Sequence, residues 1–472
     1  MSKEKTKLRL LKLIVLLVDA AIVYGSYLVG MYLKFREVFT HPVYRELQFI
    51  IIGIIIVELI AIYVYDLYHD LHKSNEAIVV SVLVTVAISG MITLIYIFLD
   101  DGLIYSRFVI SYALIIQAVL LSLWHILVHR IVIRLLGLIK VAIIGSFDES
   151  RDVAIKLLTK YKKRYQIVYI LEANQLDKVK KIIKDVDILI ACSSMALDEK
   201  NLLRANCSQY EKNLFIIPEV YDISIRHTNW QQFDDIAVLS LSSMGMSLDE
   251  RFIKRVVDLF VSTMVMMVFL PIYILVAILV KLSSKGPVIF RQDRVTKNNK
   301  VFGLYKFRTM VVGAEKDTGP VFATTGDERL TRIGVLLRRS RLDELPQLWH
   351  VFTGTMSLVG PRPERPYFIE QFKDEIPNFE QRLRVKAGIT GLAQVMGKYS
   401  TKPSNKLRYD LMYINNYSIW LDLKIMIQTI GIIFMGEKAN GLDAEEEARY
   451  IEQIETIITR THQNIVEDNV SK

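Results

Sequence analysis

Asp343 and Glu344 are adjacent acids that directly follow an arginine-rich run, Arg329–Arg341 (RLTRIGVLLRRSR). Beside cations, one carboxylate can attack phosphorus while its neighbour holds a divalent cation or handles a proton. A bare Asp-Glu pair is most often a helix N-terminal decoration, and here its context raises it. Arginine presents a planar fork that matches phosphate oxygens, although each of the five also fits a solvated face opposite Leu330, Ile333 and Leu337. Proline is favoured in the first helical turn, so Pro346 is expected to open a helix through Gln347–Phe352 that ends near Gly354. Both carboxylates then lie at the positive end of that helix, where free N–H groups also favour phosphate.

Further groups could grip the same anion. Strand periodicity in Val301–Met310 (VFGLYKFRTM) puts Lys306 and Arg308 on one face and Tyr305 and Phe307 on the other. Two cations there bind an anion or simply face solvent, and the segment alone does not choose. The loop Gly360-Pro361-Arg362-Pro363-Glu364-Arg365-Pro366 is stiff, because each proline fixes φ and restrains the residue before it. It holds Arg362 in one orientation, as a preorganised phosphate clamp or as a structural turn. Gly388-Ile389-Thr390-Gly391 is a tight turn to which physics alone assigns no role. From Asn405 to Phe434, Tyr409, Tyr413, Tyr417 and Trp420 recur at helical spacing near Lys406, Arg408 and Lys424. That pattern fits an interfacial membrane helix and an aromatic core stripe, and the two can coexist.

The chain that must position these residues is 472 residues long, 52% hydrophobic and only 23% charged, with a mean hydropathy of +0.30. Those figures point to membrane spans and roughly three structural units. They exclude a small binding module, a disordered chain and a simple soluble domain. Leu13–Leu33, Ala77–Leu99 and Phe108–Val128 each offer 21 or more residues with at most one acid, while Leu47–Tyr65 is shorter and contains Glu58. Four spanning helices are expected. Lys3, Lys5, Lys7, Arg9 and Lys12 mark an uncleaved cytoplasmic anchor end, and Arg130, Arg134 and Lys140 return the chain to the cytoplasm. Lys34, Arg36 and Arg45 in the first outer loop, and only Lys73 in the inner loop, run against that bias. Asp19 and Glu58 within the spans are expected to face one another, a polar partner or an interface, because no Gly/Pro break or basic partner marks a transport path.

From Lys140, the apolar runs Val141–Ile144, Ile167–Leu171, Ile188–Ala191 and Leu214–Ile217 alternate with helical stretches such as Asp152–Tyr161 and Leu176–Lys184, a βαβ pattern of Rossmann type. Its first turn, Gly145-Ser146-Phe147-Asp148, lacks the further glycines that admit a pyrophosphate, so a structural or regulatory role is expected over dinucleotide binding. Cys192 and Cys207 form neither a disulfide framework nor a metal pattern. The fifth apolar run, Leu259–Val280, is 22 uncharged residues containing Pro271, with Arg251, Lys254 and Arg255 before it and Lys281, Lys285, Arg291 and Arg294 after. A helix that enters the inner leaflet, kinks at Pro271 and returns satisfies both flanks. A full crossing would cut the phosphate-binding groups off from cytosolic nucleotides.

In order, KRVVDLFVS, the proline-broken helix, KLSSKGPVIFRQDRV, KFRTM, SRLDELPQL, MSLVGPRP, KAGITGLAQV and the Tyr/Trp-rich end resemble the bacterial sugar transferase family over Lys254 to about Phe434. These are polyprenyl-phosphate glycosyl-1-phosphate transferases, and the preceding spans and degenerate Rossmann-like domain look like their large, polytopic form. The resemblance implies transfer of sugar-1-phosphate, of a hexose most commonly, from a UDP-sugar to undecaprenyl phosphate, with release of UMP. It implies a multi-pass protein of the bacterial plasma membrane with its catalytic domain on the cytoplasmic face, starting exopolysaccharide, capsule or O-antigen assembly. Asp343 matches the nucleophile, which would form a phosphosugar-aspartyl intermediate, and Glu344 matches the partner expected to bind Mg²⁺. Lys306, Arg338 and Arg362 match phosphate-contacting positions, to which the strand argument adds Arg308. His350 and Thr355 stand where the family commonly has Asn and Asp, and Arg341 where Ser is frequent, which puts metal contacts beyond Glu344 in doubt.

The expected architecture is a membrane α-helical N-terminal bundle (1–138), an α/β Rossmann-like domain (139–248), and an α+β monotopic phosphoglycosyl transferase domain (249–436) with a re-entrant membrane helix at about 257–281. An acidic tail (437–472) follows, with an amphipathic helix at Glu445–Ile458. Membrane lipid is a partner, a homodimer and polysaccharide-assembly proteins are candidates, and nucleic acid is not expected. Two other readings compete. A nucleotide-cofactor enzyme built on residues 140–240 needs a phosphate loop that Gly145-Ser146-Phe147 does not supply. A scaffold with a relict catalytic domain would be favoured by loss of Asp343 or Glu344, and both are present.

Overall fold

The four N-terminal apolar runs fold as helices α1 (Ser2–Phe35), α2 (Pro42–Val64), α3 (Asn75–Leu99) and α4 (Arg107–Leu136). The structure, a computed structural model, describes residues 2–39, 41–65, 67–68, 74–99, 107–161, 164–224, 228–233, 236–241, 245–313, 329–398, 400–435 and 449–461. Lys73 and the acidic stretches 437–448 and 462–472 lie outside them. Three of these helices, over Leu10–Phe35, Asn75–Tyr96 and Arg107–Arg134, are long and apolar enough to cross a bilayer. The apolar part of α2, Ile50–Val64, is shorter, but the whole helix has 23 residues, about 35 Å at the standard rise.

Inside this bundle Asp19 is fully buried and has the polar partners expected of it: Tyr68 donates its hydroxyl at 2.6 Å, and His125 Nε2 stands 3.2 Å from the other oxygen. Glu58 is equally buried, with the Thr85 and Ser89 hydroxyls of α3 as its polar neighbours. Ser81, Thr85, Ser89 and Thr93 line one face of α3 at four-residue spacing, also buried.

The chain divides into two units by packing, Met1–Ile217 with Leu442–Lys472, and Pro218–Gly441. The first unit contains, after the bundle, β1 (Ile139–Ile144), α5 (Phe147–Tyr161), β2 (Tyr165–Leu171), a short α6 (Val179–Ile182), β3 (Ile188–Ala191), α7 (Leu197–Gln209) and β4 (Asn213–Ile216). The strands form one parallel sheet in the order β2-β1-β3-β4, as continuous apolar runs between helices require. At the strand ends, where a dinucleotide pyrophosphate would sit, the Glu149 carboxylate accepts from the backbone N–H groups of Ser193 (3.0 Å) and Ser194 (2.9 Å) and from Ser193 Oγ. The anion-receiving groups there are taken by the chain's own acid.

A last helix at 449–461 belongs to this same unit. Its Ile454 is 1% exposed and packs with Val141, Ile143, Ala154, Leu158, Ile167 and Ile170, while Thr461 Oγ1 accepts from Ile170 N at 3.4 Å. The amphipathic face expected in the tail is therefore a piece of the α/β core. Ile454→Ala should cost about 2–5 kcal/mol through the cavity it leaves. Amide exchange should then speed up in β1 and β2 and stay unchanged in Ser357–Val359 of the second unit.

The second unit starts with α8 (Val220–Ser224) and a hairpin of β5 (Thr228–Phe233) and β6 (Ile236–Leu241), then α9 (Leu248–Ser283). Ser247 and Glu250 form a reciprocal capping box that sets the start of α9. The helix runs for 36 residues with Pro271 inside it, nine residues longer at its start than the expected re-entrant segment. Antiparallel β7 (Ile289–Thr296) and β8 (Lys300–Phe307) follow, with Lys306 opposite Phe290. After them come α10 (Arg332–Arg339), α11 (Leu348–Thr353), β9 (Ser357–Val359), α12 (Pro366–Glu375), β10 (Gly388–Thr390), α13 (Leu392–Met396), α14 (Pro403–Asn415) and α15 (Ile419–Met435). Their shared core joins Ile223 and Met246 to Val351, Met356, Phe368, Leu411 and Ile425. The aromatic series divides: Tyr413 is core at 1% exposure, and Trp420 on α15 is exposed at 47%.

Candidate active site

Helix α10 is capped by Thr331, whose Oγ1 accepts from Gly334 N at 2.9 Å. It buries Leu337 and carries Arg338 and Arg339 in its last turn. Arg341 then takes a left-handed backbone, φ 57°, and turns the chain into a 3₁₀ stretch, Leu342–Gln347, that runs directly into α11. Pro346 thus lies inside helical structure and does not open it, because the left-handed Arg341 starts the turn ahead of the proline. Asp343 and Glu344 still occupy the first turn. Gly354, at φ 87°, ends α11 as anticipated.

Two of the expected cations meet on one carboxylate oxygen. Glu344 Oε1 accepts from Lys306 Nζ at 3.1 Å and Arg362 Nη2 at 3.2 Å, and Arg341 Nη1 stands 3.9 Å away. Asp343 is buried beside it, and its Oδ1 has no hydrogen-bond partner among the described residues. The neighbouring environments push the two acids apart. Burial and the Glu344 charge raise the Asp343 pKa, while at Glu344 burial is overcome by Lys306, Arg362 and Arg341, which hold it well below the usual carboxylate range. Arg338 also acts on Asp343 electrostatically, and its Nε donates to Thr309 Oγ1 at 3.1 Å.

Arg308 does not join them. The strand ends at Phe307, so the alternation that pairs Lys306 with Arg308 stops one residue short. The buried Arg308 guanidinium turns to the C-terminal end of α9, where Nη2 donates to Ser284 O (2.7 Å) and Ser284 Oγ (2.9 Å). There it meets the negative end of the helix dipole.

Several supporting residues have no role that the sequence alone assigns. Arg382 Nη2 donates to Arg362 O at 3.0 Å, and the same guanidinium pairs with buried Asp410 at 2.8 Å. Asp258 Oδ1 accepts from Ser357 Oγ (3.1 Å) and Leu358 N (3.0 Å), tying α9 to the strand that leads into the Arg362 loop. Lys254 pairs with Asp422, which also accepts from Tyr413. The Gly388–Gly391 turn now has a role: Gly360 packs so closely on it that a Cβ at Gly388 would lie 2.1 Å from Gly360 N, and one at Gly391 2.2 Å from Gly360 O. His350 Nε2 accepts from Tyr305 N at 3.1 Å, so His350 braces β8 from behind.

Among the described residues no group of three or more His, Cys, Asp or Glu gathers to hold a metal. A magnesium ion needs less from protein, since it typically keeps waters and takes one or two carboxylates plus substrate phosphates. The adjacent acids, one with a buried oxygen that lacks a hydrogen-bond partner among the described residues, suit that donor set.

The bacterial sugar transferase profile matches residues 249–436. A UDP-N-acetylgalactosamine-undecaprenyl-phosphate N-acetylgalactosaminephosphotransferase of Aeromonas hydrophila is 41% identical over 220 residues, 46% of this chain and 52% of its own. A UDP-glucose:undecaprenyl-phosphate glucose-1-phosphate transferase of Escherichia coli (strain K12) is 38% identical over 232 residues, 48% and 50% of the two chains. The match therefore spans about half the length of these relatives. A Bacillus subtilis (strain 168) protein, provisionally named an undecaprenyl-phosphate N-acetylgalactosaminyl 1-phosphate transferase, is 50% identical over 131 residues, 28% of this chain and 73% of its own. With an acid pair among arginines at the centre of the matched segment and most of that shorter relative covered, the chain belongs to the bacterial sugar transferase family.

Proposed function

We propose that the chain transfers sugar-1-phosphate from a UDP-sugar to undecaprenyl phosphate, and that Asp343 is the nucleophile. The observation that carries the reading is the asymmetric acid pair: Glu344 is held ionised by three cations, while Asp343 keeps a buried oxygen without a hydrogen-bond partner among the described residues. An Asp343 carboxylate oxygen attacks the sugar-bearing phosphorus, the bond to the nucleotide breaks, and UMP leaves with the electron pair. The phosphate oxygen of the lipid then attacks the same phosphorus and displaces Asp343. Lys306, Arg338 and Arg362 neutralise and orient the phosphates, whereas Arg308 serves by fixing the end of α9. Glu344 would hold a Mg²⁺ ion, which when bound would supply further neutralisation of the diphosphate.

Helix α9 enters and leaves the same membrane face in this reading. Its two halves both rest on the second unit: Arg255 donates to Val351 O and Phe352 O, Tyr273 donates to Leu345 O, and Val276 and Val280 pack on Phe307 and Leu337. Exposed apolar side chains run the length of α9, from Phe252 through Phe260, Met267 and Leu270 to Ile278 and Leu282, which suits lipid contact. The catalytic unit then faces the cytoplasm, and the lipid phosphate lies at the depth of the acid pair. The relatives include both N-acetylgalactosamine and glucose transferases by name, so the donor is a hexose or an N-acetylhexosamine.

The test is UMP release by membranes carrying the chain, supplied with Mg²⁺ and UDP-glucose or UDP-N-acetylgalactosamine, with and without undecaprenyl phosphate. A covalent route gives a stoichiometric burst without the lipid and turnover with it. No UMP with any hexose or N-acetylhexosamine donor would favour the scaffold reading. The burst rate should fall as pH drops, because Asp343 attacks only as the carboxylate and its pKa is raised. In Glu344→Gln the neighbouring negative charge is gone, so the acid limb of the residual burst should move to lower pH.

A further inference from the structure

Thr296, at the end of β7, brings two further cations together away from the acid pair. Its Oγ1 donates to Thr355 O at 3.1 Å and accepts from Ala387 N at 3.1 Å, so Lys297, which follows it, meets Lys386, which precedes Ala387. The hairpin turn that presents Lys297 is made by Asn298 and Asn299 in left-handed backbone, φ 57° and 59°. Arg251 and Arg255 at the start of α9 complete the group: Arg251 acts on Lys297, while Arg255 and Lys297 act on Lys386. Arg255 is anchored there by its bonds to Val351 O and Phe352 O. From Lys300 to Lys306 β8 spans about 20 Å at the usual strand rise, which separates this cluster from the cations around Glu344.

Like charges gather here at a cost. Burial and the neighbouring cations lower the pKa of both lysines, with Asp258 opposing at Lys386. The Asp258 carboxylate accepts from Ser357 and Leu358, and Lys254 nearby is paired with Asp422. The Lys297 and Lys386 ammonium groups have no hydrogen bond or ion pair among the described residues. Beside them Leu248, Phe252, Val256 and Phe260 recur at four-residue spacing along α9, all exposed, Phe252 at 71%. An apolar stripe that starts among cations has the order of a bilayer edge, anionic headgroups first and acyl chains next.

We propose that Arg251, Arg255, Lys297 and Lys386 form a docking surface for the phosphate headgroups of anionic membrane lipid, which seats the start of α9 at the bilayer surface. The inference rests on the reading in which α9 enters and leaves one membrane face, since that reading puts its first turns at headgroup depth. The occupant follows from charge and continuity. Lipid phosphate supplies the anion that the gathered cations lack, and the apolar stripe leads from them into the part of α9 in lipid contact.

The test is photo-cross-linking from a benzophenone side chain, Phe252→benzoylphenylalanine, in the full chain in nanodiscs of equimolar phosphatidylglycerol and phosphatidylcholine. Mass spectrometry of the adducts reads the ratio of the two lipids at this surface. Lys297→Gln with Lys386→Gln should lower the phosphatidylglycerol share about fivefold for each charge removed. The donor burst should be unchanged, because the acid pair is remote, and the thermal midpoint should hold or rise as repulsion is relieved. Lys297→Arg with Lys386→Arg should keep the wild-type ratio, and so should Lys178→Gln with Lys180→Gln, which removes the same charge from the α/β unit. An unchanged ratio in the glutamine pair would overturn the inference, as would an equal fall in the arginine pair or in the α/β control. Loss of the preference on adding inorganic phosphate at constant ionic strength would reveal a site for the free ion and overturn it too. Labelling of Lys300→Cys only from the outer side would instead overturn the one-face reading of α9, whatever the adduct ratio.

Discussion

Asp343→Asn is expected to lower UMP release from UDP-glucose or UDP-N-acetylgalactosamine by about 10³-fold or more, and to remove the burst seen without lipid acceptor. The substitution keeps the shape of the side chain and removes the charged nucleophile, so the loss falls on the chemical step, at about 1.4 kcal/mol for each factor of ten. Stability should move the other way. The Asp343 carboxylate is buried with an oxygen that lacks a partner among the described residues, and a neutral amide is less costly there. A thermal midpoint equal to or above wild type, with UMP release lost, is the expected pair of results. Equal UMP release by the two proteins would end the assignment of Asp343 as nucleophile.

The largest stability effect is expected at Arg382→Met. Arg382 and Asp410 form a pair buried to 5% and 2% side-chain exposure. Removing one partner of such a pair costs about 3–5 kcal/mol, because the other is left charged and dry. Burial already raises the Asp410 pKa to about 6, with Arg382 opposing. An acid whose folded pKa lies above its unfolded value binds protons preferentially in the fold, so stability falls as pH rises through that range. Without Arg382 the acid shifts higher still, and the loss in Arg382→Met should be greatest above pH 7 and shrink toward pH 5. Denaturation followed at both pH values checks this, and Arg382→Met combined with Asp410→Leu should recover much of the loss. Donor turnover should stay depressed in the double variant, because Arg362 O has lost its donor. Full recovery of turnover would show that Arg382 does not position the Arg362 loop.

Local chemistry was readable wherever it depends on neighbours in sequence. Apolar run length anticipated α1, α3 and α4, and alternating runs located the four parallel strands to within a few residues. The acid pair, Lys306 and Arg362 meet because each sits on an element whose periodicity or proline content is visible. What depends on distant packing was not readable. Arg308 breaks from Lys306 because its strand ends early, and nothing local says where a strand ends. Arg382 and Asp258 look like ordinary charges beside apolar residues; only the fold brings one to the Arg362 carbonyl and the other to Leu358. The glycines of the Gly388–Gly391 turn are explained by a neighbour, Gly360, that is remote in sequence.

The helix at 449–461 has a bearing on timing. Ile170 and Thr461, which hydrogen-bond across the α/β core, are 291 residues apart. At translation rates of about 5–20 residues per second, about 15–60 s pass between the synthesis of one and the other. Throughout that interval the sheet face formed by Val141, Ile167 and Ile170 is covered by α5, through Ala154 and Leu158, without Ile454. The span of the second unit ends at Gly441, before that helix begins. The α/β unit, begun earlier on the ribosome, is completed later.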